Sequence, residues 1–191
     1  MAFLEAIAGG EDAMGTFLAA NPAAKAFIDD PKPSPQSFAT EQFWGVNAFR
    51  LIDAEGKETF IRYRIVPDAG VVTLSDDQLK DKSPTYLFDE LAERLGRETI
   101  VFRLVAQVAG EGDVTDDATV LWPEGRELVE LGAVVLSEVL SVEESAELEK
   151  QVIFDPVPRV PGVEASEDPL LEVRAASYLI SGRMRRSKRS E

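Results

Sequence analysis

Two proline-dense segments do most to limit what this chain can fold into. "DDPKPSPQS", residues 29–37, holds three prolines, and "DPVPRVPGVEASEDP", residues 155–169, holds four of the chain's eleven. A proline has no backbone N–H and a fixed φ, so neither segment suits a helix interior or an inner strand. Both read as irregular connectors. They divide the chain into an N-terminal helical stretch with its connector at 1–37, a strand-rich stretch at 38–153, and a loop followed by a helix at 154–186. At 191 residues the three fit within one domain.

Residues 12–29, "DAMGTFLAANPAAKAFID", are Ala-rich and read as two short helices meeting near Asn21-Pro22. "FATEQFWGVNAFRLID" and "KETFIRYRIV" read as strands, and the "DAEG" between them as a hairpin turn. In the second strand Ile61, Tyr63 and Ile65 alternate with Arg62 and Arg64, which gives one apolar and one polar face. "SPTYLFDELAERLG" is a helix capped by Ser83, opened by Pro84 and stopped by Gly96, with a Leu87, Leu91, Leu95 stripe. "ETIVFRLVAQVAG" returns to strand, with Phe102, Leu104, Ala106 and Val108 on one face. "DVTDDATVLWP" is a loop, and "RELVELGAVVLSEVL" a strand bent or bulged at Gly132. "SVEESAELEK" reads as a solvated helical turn or loop, and "AELEKQVIFDP" as a continuation of the sheet. Asp168 then caps a helix that opens at Pro169 and runs through Tyr178. Antiparallel hairpins, one inserted helix and a terminal helix make an α+β fold with a curved sheet or part of a barrel.

The chain has no cysteine and no histidine. Disulfides, thiolate metal sites, a cysteine nucleophile, a Ser-His-Asp triad and a histidine base are therefore outside what it can supply. Its net charge of -15 argues against nucleic-acid binding. No run of about 20 apolar residues suggests a membrane span, and "AFLEAIAGGEDAMG" lacks the form of a secretory signal. Trp44 and Trp122 read as core anchors, "GEGD" as a turn and "SEDP" as a helix cap. The basic tail "RMRRSKRSE" suits the negative pole of a helix. One stretch offers chemistry: "RAASYLISGRMRR" sets Tyr178 four residues after Arg174 and seven before Arg185, all on one helical face. A guanidinium beside a phenol favours the phenolate, a hard anionic ligand for ferric iron.

The segment "FDPVPRVPGVEASEDPLLEVRAASY" resembles the proximal haem segment of the catalase family, in register and without gaps. "GVNAFRLIDAEGKETFIRYR", "DDATVLWPEGRELVELGAVVL" and "AELEKQVIFDP" resemble further catalase segments in the same order, and the body of the chain is most similar to the small catalase-related peroxidases. After the tyrosine, catalases carry a Pro-Asp-Thr-His stretch, and this chain has "LISG". The resemblance implies an antiparallel catalase-type β-barrel, incomplete here, with flanking helices and a proximal haem helix at the C-terminus. It implies haem (iron protoporphyrin) as cofactor, Tyr178 as the iron ligand and Arg174 hydrogen-bonded to its oxygen. By the same resemblance Arg185 faces a propionate, and Phe154, Pro156 and Leu170 line the proximal side.

The implied activity is that of a haem-dependent catalase or peroxidase reducing hydrogen peroxide or organic peroxides, with a small-molecule electron donor. Catalases also use a distal histidine, arginine and asparagine that precede the matched region, so no catalytic residue is expected in this chain. The alternative is a non-catalytic haem-binding or structural domain. A homo-oligomer or an upstream half are the other partners implied; nucleic acid and membrane are not. The sequence leaves the compartment open: this chain alone reads as cytoplasmic, and as periplasmic if an export signal lies upstream.

Overall fold

The hairpin expected at "DAEG" is present and organises the sheet. In the computed structural model, which describes residues 2–187, strands β2 (Phe49–Ile52) and β3 (Glu58–Pro67) pair antiparallel, with Phe49 opposite Ile61 and Ile52 opposite Glu58. Asp53 closes the turn: its Oδ1 accepts from the N–H groups of Glu55 and Lys57. Gly56 takes φ +80°, a left-handed conformation that a side chain disfavours.

Two compact units make up the chain, one reaching Pro33 and one beginning at Ser34. The first contains helices α1 (Ala2–Ala8), α2 (Gly10–Ala20) and α3 (Pro22–Asp29). The break at Asn21-Pro22 falls where the sequence places it. The Asn21 side chain donates back to the Phe17 carbonyl at 2.8 Å, and Pro22 opens α3 at the position where a missing N–H costs nothing. The extra helix α1 packs its Phe3 ring against Phe17, 5.7 Å between centroids.

In the second unit, β1 (Phe43–Trp44), β4 (Ile100–Val108), β5 (Leu128–Leu136) and β6 (Val163–Ala165) complete the sheet. Its order is β5-β4-β3-β2-β6, with β1 also paired to β3 and every neighbour antiparallel. It is an open sheet whose edges are β5 and β6. Helix α4 is Asp76–Lys80, α5 is Tyr86–Leu95, α6 is Val142–Gln151 and α7 is Pro169–Ser187. Leu91 and Leu95 of α5 pack with Ile65 and Leu136 around buried Ala39, Ile100 and Phe102. The bulge expected near Gly132 is there: opposite Leu104 and Val105, the β5 register skips from Gly132 to Glu130.

Several elements differ from expectation. "FATEQFWGVNAFRLID" is not one strand but a 3-10 turn at Phe38–Thr40 followed by β1 and β2. The backbone breaks at Gly45, where any Cβ would meet the Tyr63 carbonyl at 3.0 Å. "AELEKQVIFDP" does not continue the sheet. Its first half belongs to α6, because Ser141 and Glu144 exchange side-chain and backbone bonds in a capping box. The α5 helix begins at Tyr86, not Pro84. Ser83 and Thr85 turn their hydroxyls to the Asp89 carboxylate instead of capping backbone. The proline-rich segment does hold regular structure, in the three residues of β6, where no proline intervenes and the edge position asks for few ladder bonds. The arginines of β3 are not on a solvated face. Arg62 stacks on Trp122 at 4.4 Å and donates to the carbonyls of Val120 and Asp117, and Arg64 stacks on Trp44 at 4.2 Å. Trp122 is a core anchor, but Trp44 is 53% exposed and is not one. Among the described residues no helix is long and apolar enough to cross a membrane. Residues 188–191, the end of the basic tail, lie outside the described residues.

Candidate functional site

The site starts from the docking of β6 on β2. Gly162 takes φ +82° and comes so close to β2 that a Cβ would sit 3.1 Å from the Ile52 carbonyl. Its own carbonyl accepts the Ile52 N–H at 2.8 Å. From there Val163, Glu164 and Ala165 pair with Leu51, Arg50 and Phe49. The Arg50 guanidinium binds the Glu164 carboxylate across the pair and reaches Glu58 at 3.2 Å on the other side. These carboxylates, Glu164 first, hold the Arg50 pKa above its ordinary value.

That register delivers Asp168 to Asn47, in the bend between β1 and β2. Asp168 does two jobs with its two oxygens. Oδ1 accepts the Leu170 N–H at 2.9 Å, capping α7 as the sequence implies. Oδ2 accepts from Asn47 Nδ2 at 2.9 Å. The other end of the same amide, Asn47 Oδ1, accepts from Arg174 Nη1 at 2.5 Å. Asn47 and Asp168 are both buried. One turn further along α7, the Tyr178 ring centroid lies 5.8 Å from the Arg174 guanidinium carbon. The spacing read from "RAASY" therefore puts the two side chains together.

A cavity of about 500 Å³ opens beside this network, lined by Trp44, Gly45, Val46, Asn47, Phe49, Pro156, Leu170 and Arg174. Its size falls in the range of small-ligand and cofactor pockets, and its walls are apolar with one guanidinium and one amide. Three of the six residues singled out in the sequence, Pro156, Leu170 and Arg174, line it. The other three form a second cluster. Phe154 meets the Tyr178 ring edge-on at 6.4 Å and lies under the Arg185 guanidinium at 5.3 Å. Arg185 is occupied: Nε donates to the Glu149 carbonyl, Nη2 to the Val152 carbonyl and Nη1 to Ser181 Oγ. The two clusters are linked through the Arg174–Tyr178 pair. The turn between Phe154 and Pro156 is locked by Asp155, which accepts from Arg159 and from the Val157 N–H. Arg159 holds the Asp155 carboxyl below the usual range.

Sequence reasoning did not find Asn47, Trp44, Val46 or Phe49 as site residues. Asn47 stands in "GVNAF" with no local pattern to mark it, and its role depends on a partner 121 residues away.

The fold has solved counterparts. A solved catalase from Saccharomyces cerevisiae, catalase A, superposes with a TM-score of 0.68 at 24% identity, covering 79% of this chain and 33% of that one. A bacterial catalase superposes with a TM-score of 0.72 at 20% identity, covering 91% and 36%. The catalase family model matches residues 20–190, and the chain belongs to that family. Among curated relatives, a catalase-related peroxidase of Mycolicibacterium paratuberculosis is 35% identical over 156 residues, 79% of this chain and 47% of the relative. One from Synechococcus elongatus is 29% identical over 161 residues, 84% and 47%. The chain thus spans about half the length of these relatives.

Proposed function

We propose that this chain forms the proximal, haem-binding part of a catalase-related peroxidase acting on hydrogen peroxide or organic peroxides, with Tyr178 as the side chain that would hold the iron. The observation that carries this reading is the cavity against α7. Its walls of Trp44, Val46, Phe49, Pro156 and Leu170 suit a flat apolar macrocycle, and Arg174 in its lining suits an anionic edge or ligand. When bound, haem would supply the redox centre at which peroxide is reduced. The chain's own residues do the rest. Tyr178 would present its phenolic oxygen, and the Arg174 guanidinium lies over its ring at 5.8 Å from the centroid. The α7 helix holds both on one face, and Asp168 fixes the start of that helix.

The absence of histidine from the whole sequence favours a second reading, haem binding without efficient turnover. A positioned base is typically worth about 10²–10⁴-fold in such proton transfers, and this chain would have to find one in another residue or another chain. A homo-oligomer or a separate histidine-bearing segment are partners in keeping with either reading.

One experiment separates these. Haemin is titrated into the purified chain while the Soret band is followed, and peroxide with a phenolic electron donor is then added. A saturable Soret shift, lost in Tyr178→Phe, supports the proposal. Shift with weak turnover favours the second reading, and robust turnover the first. No saturable shift, or a shift unchanged in Tyr178→Phe, overturns both.

A further inference from the structure

We propose that Arg64 and Trp44 form a carboxylate-binding subsite beside the cavity, the guanidinium taking the acid group and the indole the flat body that carries it. This deepens the haem reading and rests on it for one of the two molecules that could fill the subsite, though not for the geometry.

Two arginines share one face of β3, and the protein treats them differently. Arg62 and Arg64 are 5% and 8% exposed, and each stacks on an indole, Trp122 at 4.4 Å and Trp44 at 4.2 Å. Arg62 is also bonded. Its two Nη atoms donate to the carbonyls of Val120 and Asp117, and the carboxylates of Asp168, Asp113 and Asp117 act on its charge. Arg62 leaves its Nε unmet. Arg64 leaves every donor of its guanidinium unmet: Nε is buried without a partner, and among the described residues no oxygen accepts from either Nη. Glu124 acts on the Arg64 charge from a distance, without an ion pair. A buried cation with unmet donors is costly, and such groups concentrate where a ligand supplies the missing acceptor.

Trp44 ties Arg64 to the cavity. The two residues lie opposite each other in the β1–β3 pairing, so their side chains stand on one face of the sheet. The same indole lines the cavity beside Val46, Phe49 and Leu170, and half of it is open. A guanidinium presents its donors in a planar fork that matches a carboxylate bidentately, and the open indole puts a flat apolar surface next to that fork. Together they select a planar carboxylate over a neutral ring. Glu124 adds a negative field that favours a singly charged acid over a phosphate dianion. The chain's net charge of -15 repels anions in general, so an acid bound here is held by the fork and not by the surface as a whole. Two molecules carry this chemistry: the acid edge of a macrocycle in the cavity, and a free aromatic acid serving as electron donor. In the first case Arg64 does what the resemblance assigns to Arg185, whose guanidinium is engaged at the end of α6.

The test uses the full chain and two probes. Benzoate, without haem, is titrated while tryptophan fluorescence is followed, and the Trp44 share is assigned by its loss in Trp44→Phe. Haemin and haemin dimethyl ester, which has no carboxylate, are compared by the Soret band. The parent is expected to show a saturable Trp44 response to benzoate, a preference for haemin over the ester, or both. Arg64→Met keeps the stem on the indole and is expected to weaken that response or preference by about 10–100-fold. It should melt close to the parent, since it removes a buried charge with no hydrogen bond to lose. Arg64→Lys keeps the charge without the fork and should fall between the two. A benzoate response without a haemin preference assigns the subsite to a free acid, and the reverse assigns it to the macrocycle's acid edge. Neither signal in the parent, or a signal unchanged in Arg64→Met and Arg64→Lys, overturns the inference. A parent that takes up neither haemin nor its ester overturns the haem reading, and the benzoate titration alone then decides the subsite.

Discussion

Arg185 is the residue whose role the resemblance and the structure describe differently, and replacing it by methionine decides between them. Arg185→Met keeps most of the apolar stem and removes the guanidinium. The guanidinium meets the C-terminal end of α6, where the last carbonyls have no intrahelical partner. It bonds the Glu149 carbonyl at 2.9 Å on the exposed side and the Val152 carbonyl at 2.7 Å on the part-buried side. The exposed bond is worth about 0.5 kcal/mol and the part-buried one about 1 kcal/mol. A cation at a helix C-terminus adds about 0.5 kcal/mol, and the stack on Phe154 a similar amount. These overlap, because one charge serves all of them, and about 2 kcal/mol together is a fair estimate. For a chain of this size that lowers Tm by about 4–8 °C. The assay is thermal unfolding of the haem-free chain by circular dichroism, beside the haemin titration. A melting temperature within about 1 °C of the parent, with haem affinity reduced at least tenfold, would refute the clamp and restore Arg185 to a carboxylate of the cofactor.

Two further perturbations probe the frame of the site. Leu171→Ala removes a side chain that is 1% exposed on the buried face of α7, and it should cost about 2–5 kcal/mol, seen as a lower urea midpoint; a loss under about 1 kcal/mol would show that α7 is not seated as described. Asp113 accepts two bonds from Arg126, which hold its carboxyl below the usual range. A carboxyl depressed in the folded state stabilises it above the unfolded pKa, near 3.9, and loses that contribution as pH falls through the lower folded value. Asp113→Asn should therefore lose less stability than the parent between about pH 5 and pH 3 in urea titrations, and parallel curves would count against the pair.

How much of this was legible in the sequence depends on how local each cause is. The β2–β3 hairpin, α2 and α3, and the start of α7 follow from residues next to one another: Asp53 and Gly56, Asn21 and Pro22, Asp168 and Pro169. The α6 helix was legible too, in Ser141 and Glu144, but the low turn content of "AELEKQVIFDP" suggested strand. The burial of Arg62 and Arg64 was not legible, because the alternation along β3 says which residues share a face and nothing about what covers it. Trp122 arrives on Arg62 from a loop 60 residues away and Trp44 on Arg64 from β1, and burial pushes both guanidinium pKa values down. At the site, the i, i+4 step from Arg174 to Tyr178 is a property of any helix, so it could be read directly. The Asn47 bridge could not, since it is produced by a register.

That register is the step on which the site's geometry turns. Strand side chains alternate, so a slip of one residue in the β2–β6 pairing would carry Glu164 off the face of Arg50. The same slip would move Asp168 by about 3.3 Å relative to Asn47, more than a hydrogen bond can absorb. The chain pins the register from both ends. Gly162 can approach Ile52 only because it lacks a Cβ and accepts a left-handed φ, and the Arg50–Glu164 ion pair selects one alignment of the three residues that follow. An irregular, proline-rich segment thus becomes a ruler. It starts at a glycine fixed against the sheet and ends at the aspartate that both caps α7 and anchors the amide beside Arg174.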